Sequence, residues 1–207
     1  MATRFPNDQS GAHAARIKRL FVAPESEWAA IDAEPMSALR LFFAWAVPLA
    51  AIGPAATGVK SILFGTDLLG FHYQPSVPMA VATALAAYAM GLVTVAVLAF
   101  AIDALAPQFG GERDAAQAMK VAVFSMIPLW LATPIALIPG LGIIAYAGLY
   151  SPYLAFVGLP RLMRAGPDRA LIYVAAVVVL GFALMLLTGS VASTIGNLFA
   201  APGSVVA

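Results

Sequence analysis

The sequence has no cysteine and only two histidines, and 10% of its 207 residues are charged. Without cysteine, disulfide bonds, thiol catalysis and thiolate metal sites are excluded. Soluble domains contain roughly 25% charged and 45–50% apolar residues, whereas 62% of this chain is hydrophobic. The shortage of charge therefore identifies an integral membrane protein.

Charge is absent from the whole stretch 121–159, which lies between Lys120 and Arg161. Since one membrane crossing takes about 20 residues, this stretch is long enough for two crossings joined at the proline-glycine turn 138–142. Prolines inside these helices would release backbone carbonyls in hydrocarbon, where nearby groups must satisfy them. Three hydroxyl side chains are expected to do so: Ser125, Thr133 and Ser151.

The apolar runs predict an all-α polytopic membrane protein, a bundle of five transmembrane helices preceded by short amphipathic interfacial helices. A cytoplasmic region (1–38) precedes the transmembrane domain (39–200), and an external tail (201–207) follows it. Whether the fifth helix extends past Gly189 is left open. The predicted spans are 39–64, 78–105, 118–138, 140–160 and 170–188.

The second predicted span contains small residues at helical spacing. Such a stripe would permit close packing of helices. Its members are Ala80, Ala84, Ala87 and Gly91.

The N-terminal region contains the predicted interfacial anchors. Arg16, Lys18 and Arg19 alternate with apolar residues, a pattern typical of a helix on an anionic membrane surface. The same cations could equally be a stop signal that flanks the first span. A second short helix begins at Pro24 and carries Trp28, whose indole suits the membrane interface.

The basic residues predict the orientation of the chain. Of the eleven Lys and Arg residues, Lys60 alone is near the side that holds the C-terminus. The others belong to the N-terminal region, the loops 106–119 and 161–169, or the span ends beside them. The positive-inside rule therefore places the N-terminus in the cytoplasm and the C-terminus outside.

Asp103 is the only carboxylate within a predicted span. An ionisable group in a membrane usually marks function, so Asp103 could be a proton or cation site. We favour the alternative that it lies close to the cytoplasmic interface and pairs with Lys120 or an arginine.

Three tyrosines share one face of the predicted fourth span: Tyr146, Tyr150 and Tyr153. They could line a polar groove or a lipid path. We favour packing between helices, in which each hydroxyl bonds to a backbone carbonyl.

Four cations at the predicted cytoplasmic ends of the spans could form a site for a lipid headgroup, since arginine binds phosphate bidentately. The alternative is that they only set the topology. These residues are Lys120, Arg161, Arg164 and Arg169.

Enzyme signatures such as G-x-S-x-G and H-E-x-x-H do not occur in the sequence. Neither histidine falls in a predicted span, so ligands for an intramembrane metal site are lacking. We therefore expect a protein that is not an enzyme, uses no cofactor or metal, and does not bind nucleic acid.

The run Ile127-Pro128-Leu129 is followed by Tyr150-Ser151-Pro152-Tyr153-Leu154 and by Gly158-Leu159-Pro160. With Phe109-Gly110-Gly111 and Gln117, and more loosely Pro24 and Trp28, these motifs resemble the bacterial branch of the Yip family. Members of this family span the membrane several times, and the eukaryotic ones are named for interacting with Ypt/Rab GTPases.

The resemblance implies five spans, a cytoplasmic N-terminus and an external C-terminus, here in a bacterial cytoplasmic membrane. It also implies a non-enzymatic, membrane-organising scaffold that interacts with lipids, with other copies of itself or with other membrane proteins. A bacterium has no Rab-driven vesicle traffic and the N-terminal region is short, so we do not expect a Rab-type GTPase partner. The alternative function is a lipid-moving or small-solute transporter or channel with a groove lined by the fourth span.

Overall fold

The computed structural model describes residues 7–68, 71–138 and 147–200. The described chain begins with two helices, α1 (Asn7–Val22) and α2 (Pro24–Ala33), which pack on the helices that follow. We call α1 and α2 the N-terminal layer. Glu25 and Glu27 lie in the first turn of α2, where carboxylates favour the positive end of the helix dipole.

The first long helical segment, Ala38–Phe64, consists of four consecutive pieces. A proline at position 48 removes one backbone donor, and a local change to π geometry is one way in which a membrane helix accommodates this loss. A π-helical turn lies directly before that proline. The pieces are α3 (Ala38–Leu41), the π turn (Phe42–Ala46), α4 (Val47–Ala50) and α5 (Ile52–Phe64).

The rest of the described chain is helical apart from a short antiparallel hairpin, β1 (Thr66–Leu68) and β2 (Phe71–Tyr73). The loop from 110 to 114 leads into a helix capped by Asp114, whose carboxylate accepts bonds from the backbone of residues 116 and 117. The remaining elements are α6 (Val77–Leu105), a 3-10 turn (Ala106–Phe109), α7 (Ala115–Ala136), α8 (Tyr150–Leu162) and α9 (Pro167–Asn197).

Within the described residues, four helical segments are long and apolar enough to cross a membrane: Ala38–Phe64, Val77–Phe109, Ala115–Ile135 and Pro167–Asn197. They confirm the prediction of an all-α membrane protein, and each overlaps one predicted span. The predicted span 140–160 falls partly outside the described residues, and its described part is α8. Helix α9 continues beyond Gly189 to Asn197.

Helices α6 and α9 run antiparallel and contact each other along most of their length. The hydroxyls of Thr94 and Thr188 lie 2.8 Å apart near the middle. The Tyr173 hydroxyl donates to the carbonyl of Ile102 at one end. At the other end, the Ser76 hydroxyl donates to the carbonyl of Phe199, just after the end of α9. Hydroxyl groups thus fix the alignment of this pair, as expected where lipid removes the hydrophobic driving force.

Helix α7 lies inside the bundle. Of its membrane-spanning segment, 61% is buried, against 17% for the segment of α9. Pro128 and Pro134 lie within α7. This confirms for α7 that a proline-containing helix is covered by its neighbours, which can supply partners for the released carbonyls.

One end of the bundle holds the N-terminal layer and most of the buried hydrophobic core. At the end that holds the N-terminal layer, the backbone N–H of Glu112 donates to the carbonyl of Met163 at 2.8 Å and ties the 110–114 loop to the end of α8. Gly111 is required here, because an added Cβ would lie 2.5 Å from the Met163 carbonyl oxygen. The buried hydrophobic core, which includes Trp28, Trp45 and Phe124, lies in this half of the protein.

Candidate functional site

The N-terminal layer is held on the bundle by a buried tryptophan. Trp28 of α2 is fully buried and lies against Gly158 of α8, where a Cβ would come within 2.5 Å of the indole. The ring of Phe124 meets the Trp28 indole edge-on, with the ring centroids 6.3 Å apart. The indole of Trp28 is thus an internal packing group, and its predicted role as an interfacial anchor stays a prediction.

Ion pairs join the two helices of the N-terminal layer. The Arg16 guanidinium donates to Glu27 at 3.0 Å and to Glu34 at 2.5 Å, and Arg19 also donates to Glu27. The side chain of Glu27 is 3% exposed, so its charge depends on these two partners. Arg16 and Arg19 thus form ion pairs within the protein, although the side chain of Arg19 is 52% exposed; Lys18 is exposed as well.

Arg16 also contacts aromatic rings of the bundle. Its guanidinium carbon lies 5.9 Å from the ring centroid of Trp45 and 5.7 Å from that of Phe124, within the range of a cation–π interaction. The imidazole of His13 lies 4.0 Å from the Trp45 ring. Burial and the neighbouring Arg16 lower the pKa of His13, so this imidazole is neutral at pH 7.

The C-terminal end of α2 is bound by side chains of α7. The ammonium of Lys120 is buried and donates to the carbonyls of Ile31 and Glu34, each at 2.8 Å. The amide of Gln117 donates to the Asp32 carboxylate at 3.1 Å. A cation stabilises the negative end of a helix dipole, so Lys120 stabilises the end of α2.

The four cations of the predicted headgroup site have different surroundings. Lys120 binds α2, and both terminal nitrogens of Arg164 donate to the Asp32 carboxylate at 3.2 Å. Arg169 donates to the carbonyl of Gln108 at 3.1 Å. Arg161 is exposed. Three of the four thus contact protein groups, and a headgroup site made of these residues stays a prediction that the structure does not test.

The surroundings of Asp103 differ from those predicted from the sequence. Its Oδ1 atom is buried and has no hydrogen-bond partner among the described residues. The expected pairing with Lys120 is wrong, because the Lys120 ammonium is occupied by the carbonyls at the end of α2. No arginine of the described residues lies within ion-pair distance of Asp103 either.

Two of the predicted tyrosines can be placed, while Tyr146 lies outside the described residues. The Tyr150 hydroxyl donates to the carbonyls of Phe21 at 3.4 Å and Leu20 at 3.5 Å, and its ring stacks on that of Phe21. The ring of Tyr153 packs against that of Tyr150, with the centroids 5.0 Å apart. Tyr150 thus faces α1 and makes the kind of carbonyl contact expected of a packing tyrosine.

A cavity of about 1320 Å³ runs between α5, α6, α7, α8 and α9. Small pockets for drug-sized ligands measure roughly 300–1,000 Å³, so this volume exceeds what ordinary packing leaves. Its lining along α6 extends from Met79 to Ile102. At about 1.5 Å per residue this is roughly 35 Å, as long as the hydrocarbon core of a bilayer is thick.

The cavity lining explains the small-residue stripe of α6. All four residues of the stripe, Ala80, Ala84, Ala87 and Gly91, line the cavity. Only Ala84 is in close contact with a glycine of another helix, since a Cβ on Gly58 would lie 3.1 Å from it. The close packing that the stripe permits is therefore seen at the buried Ala80 and at Ala84, whereas nothing lies within 4 Å of the Cβ position of Gly91.

Two serines border this cavity, but their hydroxyl oxygens are buried and not exposed to it. Ser125 of α7 and Ser151 of α8 are 4% and 7% exposed, both line the cavity, and neither hydroxyl has a hydrogen-bond partner among the described residues. Sequence reasoning missed the cavity. The small residues of α6 were its signal in the sequence, but they are equally compatible with a tight helix interface.

The expectation that three hydroxyls satisfy carbonyls released by proline is consequently wrong. Ser125 and Ser151 bond to no described group, and Thr133 donates to the carbonyl of Leu129, a position that proline does not affect. Pro152 is the third residue of α8, where a helix has no intrahelical partner for a backbone N–H in any case.

The comparisons with known proteins agree with the helical membrane architecture. Residues 18–188 match the family model of the Yip1 domain. No match to the chain was found among curated proteins or among solved structures. The matched segment begins inside α1 and ends inside α9, so it includes the contact of α2 with α7 and α8 and most of the cavity lining. The chain belongs to the Yip1-domain family.

Proposed function

We propose that this protein is a non-enzymatic scaffold that organises lipids or partner membrane proteins. One observation carries the proposal: residues that carry the family resemblance hold the N-terminal layer on the bundle. Trp28 packs on Gly158, and Gln117 bonds to Asp32 at the end of α2. These groups build a fixed surface and do not converge on a reacting atom.

The exposed side of the N-terminal layer supplies the partner surface of the proposed scaffold. Val22 at the end of α1 is 75% exposed, whereas Leu20, two residues earlier, is fully buried. Other membrane proteins, including further copies of this chain, are the proposed partners, together with membrane lipids. A Rab-type GTPase is not among the proposed partners.

Photo-crosslinking in intact membranes tests the scaffold. A photoreactive residue at position 22 is expected to give discrete protein adducts, since Val22 faces outward. The same residue at position 20 serves as the matched control and is expected to give none. Adduct masses distinguish a second copy of the chain from another protein. If no exposed position of the layer gives a discrete adduct, the scaffold proposal fails.

The proposed topology has five spans, a cytoplasmic N-terminus and an external C-terminus in a bacterial cytoplasmic membrane. It is supported by the position of Lys120, Arg164 and Arg169 at the end of the bundle that holds the N-terminal layer. By the positive-inside rule this end is cytoplasmic.

Reporter fusions test this topology. A reporter that is active only in the cytoplasm should be active when fused before Met1 and inactive when fused after Ala207. A reporter that is active only outside should give the reverse pattern. Activity of the same reporter at both ends would mean an even number of spans.

Lipid movement is the second candidate function, and the cavity is the observation that favours it. The cavity follows the helices over the thickness of the hydrocarbon core and includes exposed side chains such as Leu149 and Phe182 in its lining. It is therefore open to the surroundings of the bundle. Reconstitution into liposomes separates the two functions, because a scaffold leaves the exchange of labelled phospholipid between leaflets at the protein-free rate.

A further inference from the structure

The N-terminal layer is a helical hairpin that lies alongside α8. Helix α2 runs parallel to α8, because contacts follow one another in the same order along both: Phe21 with Tyr150, Trp28 with Gly158, and Asp32 with Arg164. Helix α1 runs back antiparallel to α2, since Arg19 reaches Glu27 whereas Arg16 also reaches Glu34. We call residues 21–24, where the chain turns from α1 into α2, the hairpin tip.

The hairpin tip lies at a depth set by α7 and α8. Gly148, two residues before Tyr150, lies against α7, since a Cβ on Gly148 would be 3.1 Å from the side chain of Leu129. Leu129 is nine residues past Lys120 in the membrane-spanning segment Ala115–Ile135. At about 1.5 Å per residue, Tyr150 and the hairpin tip beside it are roughly 10 Å farther into the membrane than Lys120.

The hairpin tip presents an apolar surface. Val22 is 75% exposed and Phe21 is 39% exposed, and Ala23 is exposed as well. Charged residues begin directly outside the tip, with Arg19 on α1 and Glu25 on α2. An apolar surface of this kind gains free energy when acyl chains replace water around it.

The backbone at the hairpin tip is satisfied without water. The N–H of Ala23 donates to the carbonyl of Arg19 at 2.8 Å. The carbonyl of Ala23 accepts from the N–H of Glu27 at 3.1 Å and from the hydroxyl of Ser26 at 3.0 Å. Pro24 has no N–H to satisfy. Backbone groups in hydrocarbon must find their partners within the protein, and Ala23, at the break between two helices, meets this requirement.

We propose that the hairpin is re-entrant and that its tip inserts among the acyl chains of one leaflet. In the proposed topology this is the cytoplasmic leaflet. Lys18 and Glu25 are exposed and lie about one helical turn or less from the tip, so headgroups have to be within their reach. The tip therefore lies at the boundary of headgroups and acyl chains, at the depth of about 5–10 Å that interfacial helices reach.

This inference deepens the proposed scaffold function and rests on it only for the choice of partner. A soluble protein cannot reach Val22 at this depth, so a protein that contacts the hairpin tip has to be embedded in the membrane. The two ideas fail separately. A tip in hydrocarbon without a discrete protein adduct removes the scaffold and leaves the insertion. A tip in water that gives adducts overturns the insertion and leaves the scaffold.

Spin labelling of the full chain in phosphatidylcholine liposomes tests the insertion. The sequence has no cysteine, so Val22→Cys creates a single labelling site. Collisions of the label with oxygen, which concentrates in hydrocarbon, are compared with collisions with a water-soluble nickel chelate. The label at position 22 is expected to collide more with oxygen. The reference is Val179→Cys on α9, which is 69% exposed within a membrane-spanning segment and should behave alike.

Two results at position 22 would overturn the proposal. More frequent collisions with the nickel chelate would place the hairpin tip in water. Rare collisions with both reagents would mean that protein covers the tip. Ala23→Cys, the neighbouring exposed position of the tip, repeats the measurement if Val22→Cys does not fold.

The other end of α2 provides the matched control. Ala33 is exposed and ends α2, nine residues after Pro24. At about 1.5 Å per residue, a label in Ala33→Cys should lie roughly 13 Å nearer to the aqueous phase than the tip. The nickel chelate should collide with it more often than oxygen does. Equal depths at positions 22 and 33 would mean that the hairpin lies flat on the membrane surface, and would overturn the proposal.

Discussion

Trp28→Ala is expected to lower the free energy of unfolding by about 3–5 kcal/mol, the range for removing a large aromatic side chain from a core. Trp28 is fully buried between Gly158 and Phe124, so its loss leaves a cavity under α2. Titration with a denaturing detergent measures the stability. Because α2 then keeps only Ile31 in the hydrophobic core, besides its polar contacts, a protease should also cut the 34–37 connection faster than in the wild type.

The glycine on the other side of this contact provides the complementary test. In Gly158→Ala the new methyl group would lie 2.5 Å from the indole of Trp28, and overpacking of this kind costs about 1–3 kcal/mol. Gly189→Ala is the matched control: it is also a helical glycine, but nothing lies within 4 Å of its Cβ position. That variant is expected to be more stable by about 1 kcal/mol or less.

Combining the two substitutions shows whether the contact itself is responsible. In Trp28→Ala the space above Gly158 is free, so a further Gly158→Ala should cost little or stabilise the protein. The effects of two residues in contact are not additive, and the difference is their interaction energy. Strict additivity of Trp28→Ala and Gly158→Ala would contradict the packing that the structure shows.

The membrane class and the long helices followed from the sequence because they depend on local properties. Hydropathy over about 20 residues identifies a membrane helix whatever its neighbours are. The predicted 78–105 differs from α6 (Val77–Leu105) by a single residue. The extension of α9 past Gly189 was not predictable, because the weakly apolar 189–197 is stabilised by its contact with α6, which no local pattern records.

The docking of α1 and α2 on the bundle also depends on contacts that no local pattern records. A surface helix and a helix docked on a protein can have the same amphipathic pattern, since both bury one face. The partners decide between them, and these are distant in the sequence: Glu34 lies 18 residues from Arg16, and Gly158 lies 130 residues from Trp28. An indole next to acidic residues was compatible with both arrangements.

The cavity was the largest omission of the sequence-based prediction. Small residues at helical spacing permit close packing of helices, but they leave space wherever the facing helix does not approach. Gly91 shows the difference, since nothing lies within 4 Å of its Cβ position. Only the positions of the neighbouring helices decide between a tight interface and a cavity. The same small residues are therefore compatible with both.

Lys120 connects the charge pattern with the fold and the topology. The sequence-based prediction placed Lys120 at the end of a span. In the structure its side chain is buried, and its ammonium donates hydrogen bonds to backbone carbonyls at the end of α2, where the helix itself supplies no donors. A buried ammonium requires several acceptors, and the carbonyls of Ile31 and Glu34 supply two at 2.8 Å. The same charge that favours the cytoplasmic side thus also fixes the N-terminal layer.

Lys120→Met is therefore expected to lower the free energy of unfolding by about 1.5–3 kcal/mol, the range for hydrogen bonds to a charged group. Methionine keeps most of the apolar stem, so the loss comes mainly from the ammonium and the carbonyls it leaves behind. Lys18→Met is the control at the same end of the molecule. Lys18 is exposed, and its substitution should change stability by no more than about 0.5 kcal/mol.

Salt concentration distinguishes the Lys120 contact from the surface ion pairs around it. The Arg164–Asp32 pair is partly exposed, with 55% of the Arg164 side chain accessible, so salt should screen it and its contribution should be small. Lys120 is shielded from solvent, and the cost of Lys120→Met should be nearly the same in 0.1 M and 1 M salt. A cost that disappears in 1 M salt would mean that Lys120 acts through the general surface charge, and that the buried contact with α2 does not hold the N-terminal layer in place.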